Sequence, residues 1–432
     1  MKRKNLSTVN QSGFRPGNST TNQLLFLVNE IHEAFENPKC LEIRAVFLDI
    51  SKAFDKVWHD GLVFKLKQNG ITGNLLKLFK NYLQDRKQRV VLNGTSSEYS
   101  LIESGVPQGS VLGPLLFLIY INDLEKDLIS NVKFFADDTM LYSVVQDPIQ
   151  TANELNHDLQ IIQDWAYQWK MSFNPDPTKQ AKELLSTRER ISPDYPNIIF
   201  NGCTVTKVND HKHLGLVLQS NLSFEKHLEE KIYKAKRVIG LLKHFSKFLP
   251  LRTLDMMYKT LARPHFDYCD LIYHIPPIST ETGLTLHRAM EKVEKTQYVA
   301  ALSITGAWHG SSRSKIYDEL GWETLSDRRL CKRILQVHKL IDDKAPRYLK
   351  EKLPPNRNNF LPYVFQNVRC RTECYKSSFY PNATYLWNEI ISDFENLPTF
   401  DSLKSHLLSF FDQIRNPCSM CRTQYISETY SN

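Results

Sequence analysis

The chain has 432 residues, long enough for about two or three domains with sizeable cores. Lys and Arg total 55 against 47 Asp and Glu, a net charge of +8 that carries meaning only where it clusters. The longest apolar run, near Val111 to Ile121, is too short for a bilayer, and Met1-Lys2-Arg3-Lys4 has no apolar stretch behind it, which argues against a membrane span and a secretory signal. In chain order, a helix is expected over Asn22–Phe35 and a buried strand over Ala45-Val46-Phe47-Leu48-Asp49-Ile50. Asp60-Gly61 opens a second helix, and Leu75-Leu76-Lys77-Leu78-Phe79 suggests a third. A basic strand, Arg86 to Leu92, runs into Asn93-Gly94, a hairpin signal. Gly105, Gly109 and Gly113 then recur every fourth residue, with Pro107 and Pro114, ahead of the apolar run Leu115–Ile121, which is expected to be a helix. A further buried strand, Val132 to Ala136, ends in Asp137-Asp138.

Past Lys226 the basic residues Lys226, Lys231, Lys234, Lys236, Arg237, Lys243 and Lys247 accompany Leu228, Ile232, Ala235, Val238, Ile239 and Leu242. The apolar set falls on one face of a helix, and the rest of that helix is largely basic. Such a face suits a phosphate backbone, although a merely soluble amphipathic helix has the same pattern. Residues 281–432 read as mostly helical, with a break near Pro354-Pro355-Asn356. The eight cysteines, Cys40, Cys203, Cys269, Cys331, Cys370, Cys374, Cys418 and Cys421, read as reduced thiols of an intracellular protein, nuclear or cytoplasmic. Cys418/Cys421 and Cys370/Cys374 have zinc-ligand spacing, but neither pair has an adjacent His or partner set, so zinc is not expected.

The chemistry lies in the acidic sites. Asp49 and the pair Asp137-Asp138 each end a strand-like apolar run, an expensive place for a negative charge without a compensating cation. Alone, each would equally suit a turn former or a helix cap. Side by side, the strands would gather three carboxylates able to hold two Mg²⁺ ions about 4 Å apart for an in-line phosphoryl displacement, as polymerases do.

In this order the segments resemble the reverse transcriptases of jockey-like non-LTR retrotransposons over nearly the whole chain. Gln11-Ser12-Gly13-Phe14-Arg15-Pro16-Gly17-Asn18-Ser19-Thr20 looks like the family's second fingers motif, and Phe47 to Asp55 like its first palm motif. Ser104 to Pro114 matches the Gly-rich motif, and Phe135-Ala136-Asp137-Asp138 the metal-binding hairpin. Trp165, Trp169, Lys170 to Pro175 and Lys179 resemble the next motif, and Lys212-His213-Leu214-Gly215-Leu216 the last palm hairpin. Thr305-Gly306-Ala307 and Tyr317 to Gly321 resemble the region after the thumb.

The resemblance implies an α+β right-hand polymerase with a ferredoxin-like palm, followed by a mostly helical C-terminal region. Partial fingers would occupy 1–44, the palm with an inserted fingers segment 45–219, and the thumb 220–280. The reverse transcriptase domain would thus span about 1–219, and residues 281–432 would form the helical C-terminal region. Asp49 and Asp137 would ligate two Mg²⁺ ions, for which Mn²⁺ could substitute, with Asp138 beside them and the Ile50 carbonyl as a further ligand. Phe54, five residues after Asp49, would lie under the sugar and exclude a 2′-OH. Arg15 would hold the triphosphate, and Gln108-Gly109 would contact template or nucleotide. Lys179 either protonates the leaving pyrophosphate or is a solvated lysine. On the thumb helix, Lys231, Lys234, Lys236 and Arg237 would meet phosphates. The implied partners are an RNA template, a DNA primer and deoxynucleoside triphosphates, with no membrane.

Family members also carry a basic fingers motif and an endonuclease domain upstream. The expectation is therefore a back portion of a longer element protein, which would supply both. A viral RNA-copying polymerase shares the palm, but it normally has a polar residue at the Phe54 position and Gly where this chain has Ala136. An inactive or co-opted remnant that binds nucleic acid without copying it remains the alternative function.

Overall fold

The structure is a computed structural model that describes residues 8–174, 180–189, 194–273, 281–356, 363–394 and 396–415, with side chains left aside for 281–286 and 411–415. By its contacts the chain divides into two units, Met1–Gln23 with Pro38–His213, and Leu24–Asn37 with Leu214–Asn432. The helix α1, Thr20–Glu36, lies mostly in the second unit's share of the chain.

The first unit is built on a five-stranded sheet. Its strands are β1 (Glu42–Asp49), β2 (Asn131–Phe135), β3 (Asp138–Val145), β4 (Lys182–Ser186) and β5 (Thr206–Val208), in the order β5-β4-β1-β3-β2. All neighbours run antiparallel except β5 beside β4. Omitting β5, the order 4-1-3-2 is that of a ferredoxin-like βαββαβ sheet, the fold class expected from the motifs. Helices α2 (His59–Gln68), α3 (Gly73–Leu83) and α4 (Leu112–Ile121) fall between β1 and β2, and α5 (Pro148–Gln168) falls between β3 and β4.

Each element follows from its residues. The helix α4 is apolar all round and is accordingly buried, with Leu116, Phe117 and Tyr120 fully enclosed. The start of α5 is set by Pro148 at its first position and by Asp147, whose side chain accepts from the Gln150 N–H at 2.7 Å. Val46 and Leu48 of β1 join α4 and Leu155, Leu159 and Ile162 of α5 in one core. Alternation along the strand then turns Phe47 and Asp49 to the opposite face.

Asn93-Gly94 forms the expected tight turn: both have positive φ, and Val91-Leu92 pairs with Thr95-Ser96 across it. The basic strand expected over Arg86–Leu92 is instead two short pieces, Lys87–Gln88 and Val91–Leu92, both exposed. With no core face to fix its register, this segment pairs only locally.

Lys65 on α2 is buried inside this unit. Its ammonium donates to the Tyr120 carbonyl and to Asp123 Oδ1, each at 2.6 Å, and lies 3.7 Å from the Trp169 ring centre. Trp165 donates to the same carboxylate at 2.9 Å. The two tryptophans singled out in the sequence thus wall a lysine cage tying α2 to α4 and α5. Burial lowers the lysine to a pKa of about 8 against the raising effect of Asp123.

The second unit begins with a short strand, Leu216–Gln219, and is otherwise mostly helical in its described part: α6 (Glu225–Phe245), α7 (Leu251–Met257), α8 (Glu281–Thr305), α9 (Arg313–Leu320), α10 (Leu325–Ile341), α11 (Phe379–Ile391) and α12 (Phe400–Arg415), with shorter turns between. One core gathers Ile239 and Leu242 of α6, Ala300 and Ile304 of α8, and Tyr258, Tyr317 and Trp322. The Trp322 ring stacks on Tyr258 at 4.2 Å. Lys352 secures α1 to this unit by bridging Glu30 and Glu33, each at 2.6 Å. Among the described residues, no helix is long and apolar enough to cross a membrane.

Candidate active site

The acidic sites meet because β1 and β3 are neighbours in register. Asp49 is directly opposite Asp138 across the ladder, and Asp137 sits in the turn that joins β2 to β3. Phe135 pairs with Asp138, so Ala136 and Asp137 form a two-residue hairpin turn, with Ala136 at φ 55°. Burial raises the Asp138 carboxyl to a pKa of about 6, and the charges of Asp137 and Asp49 add to the shift. Asp137 is raised for the same first reason, with Asp49 again contributing.

Half-buried carboxylates that resist ionisation together are the donor chemistry of a divalent cation, which supplies the missing positive charge. Among the described residues, no three His, Cys, Asp or Glu side chains are already drawn into a closed metal cage. The residues fit such an ion as carboxylates poised on two adjacent strands rather than as a finished shell.

Around this cluster the other expected residues take definite places. Phe54 is half-buried, stacked on Phe117 at 4.5 Å and meeting Phe14 edge-on at 6.1 Å. The Gly-rich loop is laced to the same turn: Gly105 donates to the Val57 carbonyl and Val106 to that of Phe54, each at 2.8 Å. Gly105 has φ 94°, and a side chain there would strike the Asp55 carbonyl at 2.7 Å, so only glycine fits. Gln108 is exposed and donates to Asp55 Oδ1 at 2.9 Å, while Gly109 is exposed with open space at its Cα. Arg15 is half-buried and gives its guanidinium to the main-chain carbonyls of Thr8 and Gln11. The carbonyl-bearing residue Ile50 is buried and bridges to Phe173. Lys179 lies outside the described residues.

Two residues quoted in the motifs without a role prove to touch the site. Asn174 donates its side-chain amide to Asp49 Oδ2 at 3.1 Å and its backbone N–H to the Asp49 carbonyl at 3.0 Å. Gln11, in the first motif, reaches the Ala136 turn. The sequence signal for Asn174 is its place in the motif stretch Lys170 to Pro175. His211 and His213, near the last palm motif, pack on Phe47 at 4.2 and 4.9 Å, and burial keeps His213 neutral, with a pKa of about 3. Asp49 and Asn174 also line a cavity of about 240 Å³, together with Phe200 and Cys203.

In the second unit the basic helix is α6, and its apolar stripe is buried as expected at Leu228, Ile232, Ala235, Ile239 and Leu242. Lys231 needs correction. It is buried, with its ammonium 5.1 Å from the Tyr268 ring centre, because it projects on the apolar side one turn from Leu228 and Ala235. Lys234 pairs with Glu230 at 2.5 Å, whereas Lys236, Arg237 and Lys243 are exposed. Cys370 donates to the Val368 carbonyl and Cys374 lies 3.8 Å from His32, while Cys418 and Cys421 lie outside the described residues.

A sheet in ferredoxin-like order, with facing carboxylates at the ends of its two central strands, defines the palm of a nucleic-acid polymerase. Residues 1–217 match the family described as reverse transcriptase (RNA-dependent DNA polymerase), and the chain belongs to that family. It is 29% identical over 315 residues to the RNA-directed DNA polymerase from mobile element jockey of Drosophila funebris, covering 70% of this chain and 32% of that protein. It is 27% identical over 371 residues to the probable RNA-directed DNA polymerase from transposon X-element of Drosophila melanogaster, covering 83% and 39%. The chain thus spans about a third of the length of these curated relatives. Among solved structures, apo telomerase from Candida Tropicalis aligns at 10% identity and a TM-score of 0.41, covering 95% of this chain and 59% of that one.

Proposed function

We propose that this chain is the RNA-directed DNA polymerase portion of a non-LTR retrotransposon protein, extending a DNA primer on an RNA template with deoxynucleoside triphosphates inside the cell. The observation that carries the reading is the register of β1 and β3, which sets Asp49 against Asp138 with Asp137 in the adjoining turn, in a chain of this family. Asp49 and Asp137 would hold two Mg²⁺ ions, with Asp138 and the Ile50 carbonyl completing the site. When bound, the ions would stabilise charge on the attacking 3′-oxygen and on the leaving pyrophosphate.

The chain's own residues would do the rest. Phe54, fixed by its stack on Phe117, would fill the space a 2′-OH needs. Gln108 and Gly109 present a polar, uncrowded edge for template or nucleotide. Arg15 would exchange its main-chain bonds for triphosphate oxygens, where a planar fork of donors matches phosphate. Lys179 is proposed to hand a proton to the leaving group. The first unit would act as palm and fingers, and α6 as the thumb helix lying along phosphates.

Primer extension on an RNA template with Mg²⁺ tests the reading. Extension with deoxynucleotides is expected, falling to background in Asp49→Asn and Asp137→Asn while hybrid binding persists. Extension surviving in both variants would overturn the metal assignment. Hybrid binding without any extension by the parent chain would identify it as a binding remnant.

A further inference from the structure

The motif that opens the described chain is joined to the metal-binding turn through one side chain. Residues 10–12 run beside β2: Ser12 donates to the Phe134 carbonyl at 2.9 Å and Phe134 donates to that of Asn10 at 3.0 Å. Backbone pairing stops there, because the chain turns at Gly13. The buried Gln11 side chain continues the ladder. Its Oε1 accepts from the Gly13 N–H at 2.7 Å and from the Ala136 N–H at 2.9 Å, and its Nε2 donates to the Ala136 carbonyl at 3.4 Å. Both polar groups of the Ala136 residue are therefore held by one amide.

Ala136 needs holding. Its φ of 55° is a left-handed conformation that alanine adopts at a cost, and such a residue keeps it only where its surroundings insist. Gly13 lets the segment come this near, since a methyl group there would lie 2.3 Å from the Ala136 nitrogen. The next two residues are Asp137 and Asp138, so any change in the Ala136 peptide swings both carboxylates relative to Asp49.

We propose that Gln11 is a positioning residue: its side-chain amide fixes the Ala136 peptide and thereby sets where Asp137 and Asp138 present their oxygens to divalent cations. This rests on the metal site proposed above. Groups that orient metal ligands from behind typically change metal affinity or activity by about 10–100-fold when removed. Because Gln11 acts through the backbone, the lower end is expected.

The test uses the full chain and Mn²⁺, with binding followed by electron paramagnetic resonance and turnover by primer extension. Gln11→Asn is the informative variant. A shorter amide can still bond the N–H two residues on, as in an Asx turn, but falls one methylene short of Ala136. Asn10→Ala is the control: it breaks the bonds of Asn10 to Glu125 and Lys133, at 2.8 and 2.9 Å, in the same segment without touching Ala136. Expected results are a Mn²⁺ dissociation constant raised about tenfold in Gln11→Asn and a lower kcat with nucleotide KM little changed. In Asn10→Ala, Mn²⁺ binding should stay near the parent value even where thermal stability falls. Equal Mn²⁺ binding by parent and Gln11→Asn would overturn the inference, as would equal weakening in Asn10→Ala, which would make the segment a structural brace. If Gln11→Asn does not fold, Gln11→Met, which keeps the volume, carries the same comparison. A parent chain that binds no Mn²⁺ overturns the metal site and this inference with it, whereas failure of the inference alone leaves parental binding intact.

Discussion

Asn174 grips Asp49 at two points, through its backbone N–H to the Asp49 carbonyl at 3.0 Å and through its side-chain amide to Oδ2 at 3.1 Å. The first bond docks the segment after α5 against the end of β1, and the second leaves Oδ1 as the less encumbered oxygen. Replacing Asn174 with Ala should lower kcat by about tenfold, within the usual range for groups that orient a ligand, while the backbone bond preserves the fold. Steady-state extension kinetics with a melting curve check this, and unchanged kcat would confine Asn174 to packing.

Asp138 should make metal binding pH-dependent. Its carboxyl is raised from 3.8 to about 6, so between those values the folded state binds more protons than the unfolded state. Without metal, its contribution to stability is therefore greatest at the acid end of that window and is lost as pH rises through it. Metal binding runs the other way, because the ion must displace the proton. Mn²⁺ affinity should fall with each pH unit below the Asp138 pKa, by a factor approaching about ten. The inflection should disappear in Asp138→Asn. An identical inflection in that variant would assign it to another group.

Phe54 is tied to the core by its stack on Phe117, so its ring cannot swing aside for a larger sugar. Phe54→Val should raise ribonucleotide incorporation by about tenfold or more, the effect of relieving a clash of about 1.4 kcal/mol, while deoxynucleotide incorporation falls less. Competition assays between the two nucleotide types decide it, and unchanged discrimination would return Phe54 to a packing role alone.

On α6 the exposed cations Lys236, Arg237 and Lys243 should carry phosphate contact. Each one neutralised should reduce the salt slope of primer–template binding by about one, because one fewer counterion is released. Lys231→Met should leave that slope unchanged, since its ammonium is committed to Tyr268. A slope insensitive to the three exposed residues would mean that this face meets solvent or protein.

The Lys65 cage predicts a pH-dependent stability difference. With its pKa lowered from 10.5 to about 8, the folded state binds fewer protons than the unfolded state between those values, so this group adds stability as pH rises across them. Measured by denaturant unfolding, the parent should gain up to about 3 kcal/mol on Lys65→Met between pH 8 and 10.5. Parallel curves for the two proteins would show that the buried amine keeps its ordinary affinity for protons.

The sequence alone determined the acidic strand ends, the Gly-rich loop, the Asn93-Gly94 turn and the apolar stripe of α6. All of these are contiguous patterns: strand, turn and helix preferences act over a few residues, and a strand-borne Asp advertises its need for a cation without reference to the rest of the chain. The order of the acidic sites along the chain was legible too, but not that Asp49 would oppose Asp138 rather than its neighbour, since register depends on which face the core buries. Gln11 and Ala136 lie on segments far apart in sequence, and nothing local to either shows that an amide and a strained peptide will meet. Lys231 stands on the apolar arc of its helix, between Leu228 and Ala235, and Lys236 stands outside it, but a lysine's long stem can carry its ammonium off such an arc to solvent. Only packing against Tyr268 buries the first and leaves the second to solvent, because a helix fixes the angle between two side chains while the tertiary fold decides where that angle points.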